Sequence, residues 1–403
     1  MSTSCRTAAL ALLALAACGG APAGERPAPP QTLSAPVSPH RDDSLSGLRD
    51  QVDAYLANAG IAKGAHVTEL TIDPAISAAA DEAVRRIAAD AQVREAFMVV
   101  LDPRTGEILA LSGRRHAQQA AHDASDAWDL AVRSAYTPAS VTKTFTMAAA
   151  LDAGAIRADQ RFSGEKGAWT LDGDTLTDAS PHGEMSATEV LVFSSNIATG
   201  KIALTLGKER LGEAFARFRF GVPPRVELEG PNAGKMNPFA SLSRYETAET
   251  GAGHGFELSP LQVAFGFASI ANGGTYRRPT LIRRVEDATG RVIHESAPEP
   301  QRIIRPETAQ TVMRMLEAAV DRDDAHGKAA RIPGCHVAGK TGTGEGREGW
   351  TYGSFVGAFP SEKPRMVILA GAVTRDGAGY TGPSIAAPLF REVAQKIIAK
   401  TGC

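Results

Sequence analysis

Two pairs of short apolar runs, one near each end of the main part of the chain, have the length and composition of β-strands. The runs 97–101 and 108–111 are joined by D-P-R-T-G, whose residues are typical of a tight turn. The runs S-F-V-G-A-F-P and M-V-I-L-A-G-A-V-T lie on either side of Pro364. Helical patterns occupy the chain between the two pairs. The pattern therefore predicts an α+β fold whose antiparallel sheet is built from segments distant in sequence.

The chain before the first strand pair is predicted to be helical. Apolar residues recur at helical spacing within residues 42–61, which predicts one amphipathic helix there. A second helix is expected to begin near Pro74, because proline suits the first turn of a helix, and to run to about Ala91. Residues 42–72 are thus predicted to form an N-terminal helical segment before a main domain that spans residues 73–403.

The first forty residues have a different character. The apolar run A-A-L-A-L-L-A-L-A-A is much shorter than the ~20 residues that a membrane-spanning helix needs, and it suits the core of a secretory signal peptide. It ends in L-A-A-C-G-G, which resembles the bacterial lipobox. That resemblance implies a signal peptide at residues 1–17, lipidation of Cys18 and anchoring at the periplasmic face of a bacterial membrane. A plain secretory signal with a chance cysteine is the alternative. Residues 18–41, rich in proline, alanine and glycine, are predicted to be a tether.

Charge and cysteine usage narrow the function classes. The net charge of -2 over 403 residues gives no excess of positive charge that could bind phosphates, so no nucleic-acid partner is expected. Beyond Cys18, the chain has Cys335 and Cys403, which an exported protein can hold as a disulfide or as free thiols; the sequence does not decide between them. No clustered set of histidines and cysteines is present, and His336 beside Cys335 is interpreted as incidental, so no metal is expected.

Ser140 and Lys143 form the first candidate chemical pair. The run K-T-F-T-M-A-A-A-L-D-A-G predicts a largely buried helix that ends at Gly154. Side chains three positions apart share one helix face, and a desolvated lysine can accept the hydroxyl proton of a neighbouring serine. Because S-x-x-K is common by itself, the alternative is a serine that only caps the helix.

Two further elements make the assignment specific. L-V-F-S-S-N-I-A-T-G-K interrupts an apolar stretch with polar residues, and its Ser194 and Asn196 offer a hydroxyl and an amide to a shared cleft. H-V-A-G-K-T-G-T-G places Lys340 on a short strand with small residues, which would let a ligand lie close to the strand edge. The three elements S-x-x-K, S-x-N and K-T-G in this order are the signature of penicillin-binding proteins and class A β-lactamases.

With these motifs, the sequence resembles the transpeptidase domain of the penicillin-binding proteins. The resemblance covers roughly residues 73–400 and includes G-H-G-F-E-L-S-P-L-Q-V-A-F-G-F-A-S-I-A-N-G-G-T-Y-R-R-P and A-A-P-L-F-R-E-V-A. It implies a β-lactamase/transpeptidase-like α+β fold, with a central antiparallel sheet flanked by helices and an all-helical subregion. It also implies a cofactor-free peptidoglycan D,D-transpeptidase that cross-links stem peptides through an acyl-serine intermediate and is acylated by β-lactams.

The resemblance assigns a role to each motif residue. Ser140 would attack the penultimate D-Ala carbonyl, with Lys143 as its general base. Ser194 would relay the proton to the departing D-Ala, and Asn196 would hold Lys143 and the substrate amide. Lys340 would keep the cleft positive.

The strand after Lys340 is assigned to substrate binding through Thr341, Gly342 and Thr343. The two threonines would bind the terminal carboxylate of the stem peptide. Backbone N–H groups of Ser140 and Thr343 would form the oxyanion hole.

The sequence departs from the family pattern in several places. Ala139 and Thr144 stand where large members usually have glycine and proline, and His254 replaces a usual glutamine, for which a structural role is expected. His182 is expected to shape the loop before S-S-N. Too little chain precedes Asp73 for a glycosyltransferase or a large pedestal domain, so a stripped-down, monofunctional member is expected.

Several functions stay open at this point. A D,D-carboxypeptidase would differ only in the acceptor of the acyl group. A class D-like β-lactamase would need a means of rapid deacylation, and a noncatalytic penicillin-binding sensor or scaffold would bind without turnover. A cell-wall polymerase is a candidate partner.

Overall fold

The computed structural model describes residues 43–61, 66–116, 128–346 and 349–403. The α-helices formed by these residues are α1 (Asp43–Asn58), α2 (Pro74–Ala88), α3 (Asp129–Arg133), α4 (Lys143–Asp152), α5 (Ala187–Val192), α6 (Asn196–Leu206), α7 (Lys208–Arg217), α8 (Arg244–Ala252), α9 (Pro260–Ala271), α10 (Pro306–Asp321) and α11 (Ala387–Thr401). The strands are β1 (His66–Leu70), β2 (Val93–Leu101), β3 (Ile108–Arg115), β4 (Arg161–Ser163), β5 (Ala168–Leu171), β6 (Asp174–Thr177), β7 (Glu184–Ser186), β8 (Thr275–Tyr276), β9 (Ile282–Asp287), β10 (Val292–Glu295), β11 (Gln301–Arg302), β12 (Ala338–Glu345), β13 (Trp350–Phe359) and β14 (Met366–Arg375).

The central sheet joins the two predicted hairpins. Its five strands lie in the order β12-β13-β14-β2-β3, and all neighbours are antiparallel. The pairing of Val367 with Leu101 connects the C-terminal hairpin to the N-terminal one. The predicted α+β fold with a central antiparallel sheet is therefore confirmed.

Both faces of this sheet are covered by helices. Along β2, Phe97 and Val99 belong to one apolar core, while Met98 and Val100 belong to another on the opposite face. This follows from the two-residue period of a strand, and burial on both sides explains why β2 reads as a continuous apolar run. Helices α2 and α11 pack on the second face, and the larger helical part of the protein lies on the first.

The helical subregion surrounds α4, which packs against α6, α7 and α8. It is not all-helical as predicted, because the two-stranded sheets β4-β7 and β5-β6 pack against α5 and α6. Residues 143–150 of α4 are all buried, including the polar side chains of Lys143, Thr144 and Thr146. A helix that is enclosed on every side holds its polar groups away from water. Thr146 meets this constraint by donating to the carbonyl oxygen of Gly251 at 2.8 Å. The fold therefore places Lys143 in a dry interior.

Residues 42–72 are not wholly helical, and this part of the prediction needs correction. Helix α1 packs Val52 and Leu56 against Ile282 and Val285 of β9. The run H-V-T-E-L forms strand β1, which pairs with β9 in a three-stranded sheet of order β1-β9-β10. Its partner lies more than 200 residues away in the chain, so helical spacing nearby could not reveal it.

The predictions for the N-terminus lie outside the described residues. They are the signal peptide 1–17, the lipidated Cys18 and the tether 18–41. Among the residues that the structure describes, no helix is both long enough and apolar enough to cross a bilayer.

A disulfide resolves the open question about the two downstream cysteines. Cys335 and Cys403 are bonded, with their Cα atoms 5.7 Å apart, and they are separated by 68 positions in sequence. The bond ties the segment before β12 to the chain beyond α11. It therefore closes a loop that contains the last three strands of the sheet.

Replacing both cysteines, Cys335→Ser with Cys403→Ser, is expected to lower the free energy of unfolding by about 2–4 kcal/mol, because the cross-link restricts the unfolded chain. Urea titration followed by circular dichroism measures the change. Reductant should lower the wild-type midpoint and leave that of the double variant unchanged. Equal midpoints for the two proteins without reductant would contradict the prediction.

Candidate active site

Ser140 lies in a short 3-10 turn, Ala139–Thr142, that leads directly into α4. Ser140 occupies the N-cap position of neither element, since those positions belong to Pro138 and Thr142. Instead, its Oγ lies 2.9 Å from Nζ of Lys143, one turn further along. The simpler interpretation, a serine that only caps the helix, is therefore not supported.

Two glycines allow other segments to pass close to this turn. Ala139 has a positive φ of 47°, which is unusual for a residue with a side chain. A Cβ atom on Gly253, whose φ is 107°, would lie 1.9 Å from the carbonyl oxygen of Ala139. On the other side, a Cβ on Gly342 would lie 2.7 Å from the carbonyl oxygen of Pro138. The turn that carries Ser140 is thus held between the loop after α8 and strand β12.

Lys143 is the centre of the hydrogen-bond network. Its side chain is 0% exposed, and its Nζ lies 2.6 Å from Asn196 Oδ1 and 2.5 Å from the carbonyl oxygen of Ser194. Both oxygens can only accept, so they engage two N–H groups of the amine. In the neutral amine one lone pair remains, to which the Ser140 hydroxyl can donate at 2.9 Å. The arrangement is that of a serine paired with a lysine base.

The electrostatic surroundings favour the neutral form of Lys143. Burial holds its pKa well below the ordinary value of 10.5, and the positive charge of Lys340 lowers it further. The carboxylate of Asp178 acts in the opposite direction. Lys340 is only 1% exposed, and burial lowers its pKa to about 7. These surroundings favour the neutral amine at Lys143, while Lys340, with a pKa of about 7, keeps part of its charge near neutral pH.

The S-S-N segment forms the turn between α5 and α6. Ser194 has a positive φ of 56°, and Ser195 caps α6 by accepting from the N–H of Ala198 at 3.0 Å. The Ser194 hydroxyl lies 2.9 Å from Nζ of Lys340 and 3.3 Å from Nζ of Lys143. This hydroxyl therefore bridges the two lysines, as a proton relay requires.

Strand β12 brings Lys340 and the predicted substrate-binding residues to the edge of the central sheet. Among the strands that the structure describes, β12 has a neighbour in the central sheet on one side only, β13. The Oγ1 of Thr343 accepts from the N–H of Gly382 at 3.0 Å, and Thr341 is buried. Around Gly342 the space is filled by Pro138, Val141 and Ser354, so its small size lets the strand pass the nucleophile turn. The sequence predicted that this small residue would leave room for a ligand, but the structure fills that space with protein atoms.

Asp178 is a contact residue that the sequence analysis missed. Its carboxylate accepts from Ser195 Oγ at 2.6 Å and from the backbone N–H groups of Asn196 and Ile197 at 2.5 and 3.1 Å. It stands in T-D-A-S-P-H-G, where its neighbours are typical of a turn and no spacing links it to S-S-N. Only the packing of the chain after β6 against the start of α6 reveals its role.

Histidines near the lysines contribute little positive charge at neutral pH. The pKa of His254 and that of His326 are both lowered to about 4, mainly by burial, with smaller contributions from Lys143 at His254 and from Lys340 and Lys143 at His326. His182 stacks on Phe193 with ring centroids 4.3 Å apart, next to the S-S-N turn that it was expected to shape. His326 was not identified from the sequence, since it lies in a loop with no motif.

Among the described residues, one group has the spacing of metal ligands. Glu317, Asp321 and His336 present ligand atoms within 4.8 Å of one another. The group lies at the surface, and Nδ1 of His336 is 2.9 Å from Asp321, which with Glu317 raises the pKa of the imidazole. Cys335 is no ligand, because it is bonded to Cys403. The group contains none of the predicted site residues.

Comparison with known protein families and sequences gives consistent matches. The family described as the penicillin binding protein transpeptidase domain matches residues 96–395. Penicillin-binding protein PbpB of Mycolicibacterium smegmatis is 31% identical over 88% of this chain and 61% of its own length. The probable peptidoglycan D,D-transpeptidase FtsI of Caulobacter vibrioides is 28% identical over 88% of this chain and 62% of its own length. The chain thus spans about three fifths of these relatives.

Solved structures match as well. The apo transpeptidase domain of Burkholderia pseudomallei penicillin-binding protein 3 has a TM-score of 0.72 at 26% identity, covering 82% of this chain and 96% of that one. Penicillin-binding protein 3 from Mycobacterium tuberculosis, complexed with aztreonam, has a TM-score of 0.75 at 28% identity, covering 83% of this chain and 79% of that one.

The contact between Gly253 and Ala139 generates a stability prediction. Gly253→Ala is expected to lower the free energy of unfolding by about 3 kcal/mol, since it adds a side chain at positive φ and forces the backbone away from Ala139. Gly290→Ala is the matched control: Gly290 also has a positive φ, of 82°, but faces open space. It should cost about 1 kcal/mol. Urea titration compares the two variants, and equal losses would contradict the role of the contact.

Proposed function

The chain belongs to the penicillin-binding protein transpeptidase family, and we propose that it is a peptidoglycan D,D-transpeptidase. In this proposal it cross-links stem peptides through an acyl-serine intermediate at Ser140, and β-lactams acylate the same serine. The observation that carries the proposal is the buried Lys143, whose pKa is lowered by burial and whose two contacts with carbonyl oxygens leave the lone pair of its neutral amine for the Ser140 hydroxyl.

The first step forms the acyl-enzyme. Lys143 takes the proton of Ser140 while Oγ bonds to the penultimate D-Ala carbonyl carbon, and the carbonyl oxygen becomes an oxyanion. When the oxyanion collapses, the bond to the terminal D-Ala nitrogen breaks. That nitrogen receives the proton from Lys143 through Ser194, whose hydroxyl lies between the lysines. The leaving group departs as a neutral amine.

The second step transfers the acyl group. An amine of another stem peptide attacks the ester carbon and loses a proton to Lys143, and Ser140 leaves with that proton. A new peptide bond and the free enzyme result. Lys340 stabilises the negative charge of the substrate carboxylate and of the oxyanion throughout.

Substrate binding is proposed along the outer edge of β12. An extended peptide can add to an unpaired strand edge through main-chain hydrogen bonds. The N–H groups of Ser140 and Thr343 are proposed as the oxyanion hole. Because Thr343 Oγ1 accepts from Gly382, its own hydroxyl hydrogen stays available for the terminal carboxylate, which Thr341 would also bind.

The setting of the enzyme is part of the proposal. The lipobox-like sequence at Cys18 supports a lipid anchor and a site of action at the periplasmic face of a bacterial membrane. A cell-wall polymerase that supplies uncross-linked glycan is the proposed partner. No cofactor is required for acyl transfer between a serine and an amine.

The proposed function is tested by mixing the protein with benzylpenicillin and following intact mass with time. We expect a long-lived adduct of one benzylpenicillin in the wild type and none in Ser140→Ala. An adduct that clears within seconds would indicate a β-lactamase, and no adduct would indicate a noncatalytic scaffold.

A stem pentapeptide then identifies the acyl acceptor. A transpeptidase should release D-Ala and form the cross-linked product when an acceptor amine is supplied. Tetrapeptide alone, at any acceptor concentration, would indicate a carboxypeptidase.

The two lysines predict a bell-shaped pH dependence of acylation. The rate should rise with pH as Lys143 loses its proton, and it should fall as pH passes through about 7 because Lys340 then loses its charge. Lys340→Arg keeps a charge at all relevant pH values, so its acylation rate, though lower, should show no alkaline limb up to about pH 9. Stopped-flow acylation by a chromogenic β-lactam measures both profiles. An identical alkaline limb in the two proteins would contradict the assignment to Lys340.

A further inference from the structure

Asp178 is bound to the turn that carries two of the catalytic groups. It follows strand β6, and its carboxylate accepts from the side chain of Ser195 and from the first two N–H groups of α6, those of Asn196 and Ile197, at 2.5–3.1 Å. N–H groups at a helix start favour a negative partner. The carboxylate therefore fixes the start of α6, immediately after Ser194, whose backbone has a positive φ.

The same loop orients the amide of Asn196. The carbonyl oxygen of Thr177 accepts from Nδ2 of Asn196 at 2.7 Å. With its NH₂ group held there, the amide directs Oδ1 to Nζ of Lys143, at 2.6 Å. Thr177 and Asp178 thus determine where Asn196 points, and Asn196 determines where the Lys143 amine lies.

Asp178 also supplies negative charge to a positive site. Four charged or titratable groups interact electrostatically with Lys143, and they come from different elements. They are Lys340 of β12, His254 of the loop after α8, His326 of the loop after α10, and Asp178. The two histidines are neutral at pH 7, and the charge of Lys340 disfavours a second ammonium. Asp178 opposes that effect.

We propose that Asp178 is a positioning residue for the acylation reaction. It holds the turn that carries Ser194 and Asn196, and its charge sets the pH range in which Lys143 is a free base. The inference rests on the proposed acylation of Ser140. Asp178 itself touches no reacting atom; it acts through Asn196 and Lys143.

The variant Asp178→Asn tests both tasks. Removing the negative charge makes the ammonium of Lys143 less favourable, so the acid limb of the acylation rate should move to lower pH by about one unit. The maximal rate should fall about tenfold or more, because the catalytic turn loses its anchor. A residue with only a structural role would lower the rate equally at every pH. An acid limb at the wild-type position would overturn the proposal.

Two variants separate charge from hydrogen bonding. Ser195→Ala removes one contact of Asp178 and keeps its charge, so the rate should fall while the acid limb stays in place. Asp178→Glu keeps the charge on a longer side chain and should likewise keep the wild-type limb. If Asp178→Asn does not fold, a shifted limb in either of these variants would still overturn the proposal.

A direct titration of Lys143 makes the test independent of activity. In protein labelled with ¹³C at lysine Cε, the Lys143 signal, assigned with Lys143→Arg, reports the midpoint in the wild type and in the Asp178 variants. Asp178→Asn should lower that midpoint, and an unchanged midpoint would contradict the inference. If the wild type is not acylated by benzylpenicillin, the proposed function is wrong. The titration would still show whether the charge of Asp178 raises the midpoint of Lys143.

Discussion

The structure depends on one costly arrangement, a lysine amine held in the dry interior of a helical subregion. Water does not reach Nζ of Lys143, so the ammonium form loses its solvation and the neutral amine is favoured. Two oxygens that can only accept, from Ser194 and Asn196, engage its N–H groups. The same burial that would destabilise a charge thus creates a base beside Ser140, and Lys340, buried nearby, strengthens the effect.

The rest of the fold brings two distant segments to that amine, which α4 carries. Helix α4 is enclosed by its neighbours, the S-S-N turn approaches from the start of α6, and β12 approaches from the edge of the sheet. Close approach requires the absence of side chains at Gly253 and Gly342, where a Cβ would collide with the backbone beside Ser140. Positive φ values at Ala139 and Ser194 show that the turns on both sides of the amine are constrained. Gly253 of G-H-G and Gly342 of K-T-G therefore allow the close packing of the site.

The features that depend on residues close together in the chain were predicted correctly from the sequence. Apolar runs predicted the four strands of the two hairpins, and the motifs predicted Ser140, Lys143, Ser194, Asn196 and Lys340, which the structure brings together. The sequence did not reveal what depends on long-range pairing. Strand β1 pairs with β9, Asp178 reaches α6 only after folding, and the bond between Cys335 and Cys403 requires their Cα atoms to lie 5.7 Å apart. Such contacts leave no periodicity or spacing in the local sequence.

The central claim, a neutral Lys143 that accepts the Ser140 proton, is tested most directly by neutron crystallography of the free protein near neutral pH. The account predicts two deuterons on Lys143 Nζ, directed at Asn196 Oδ1 and at the carbonyl oxygen of Ser194, and a Ser140 deuteron directed at Nζ. Three deuterons on Nζ, with one directed at Ser140 Oγ, would contradict it.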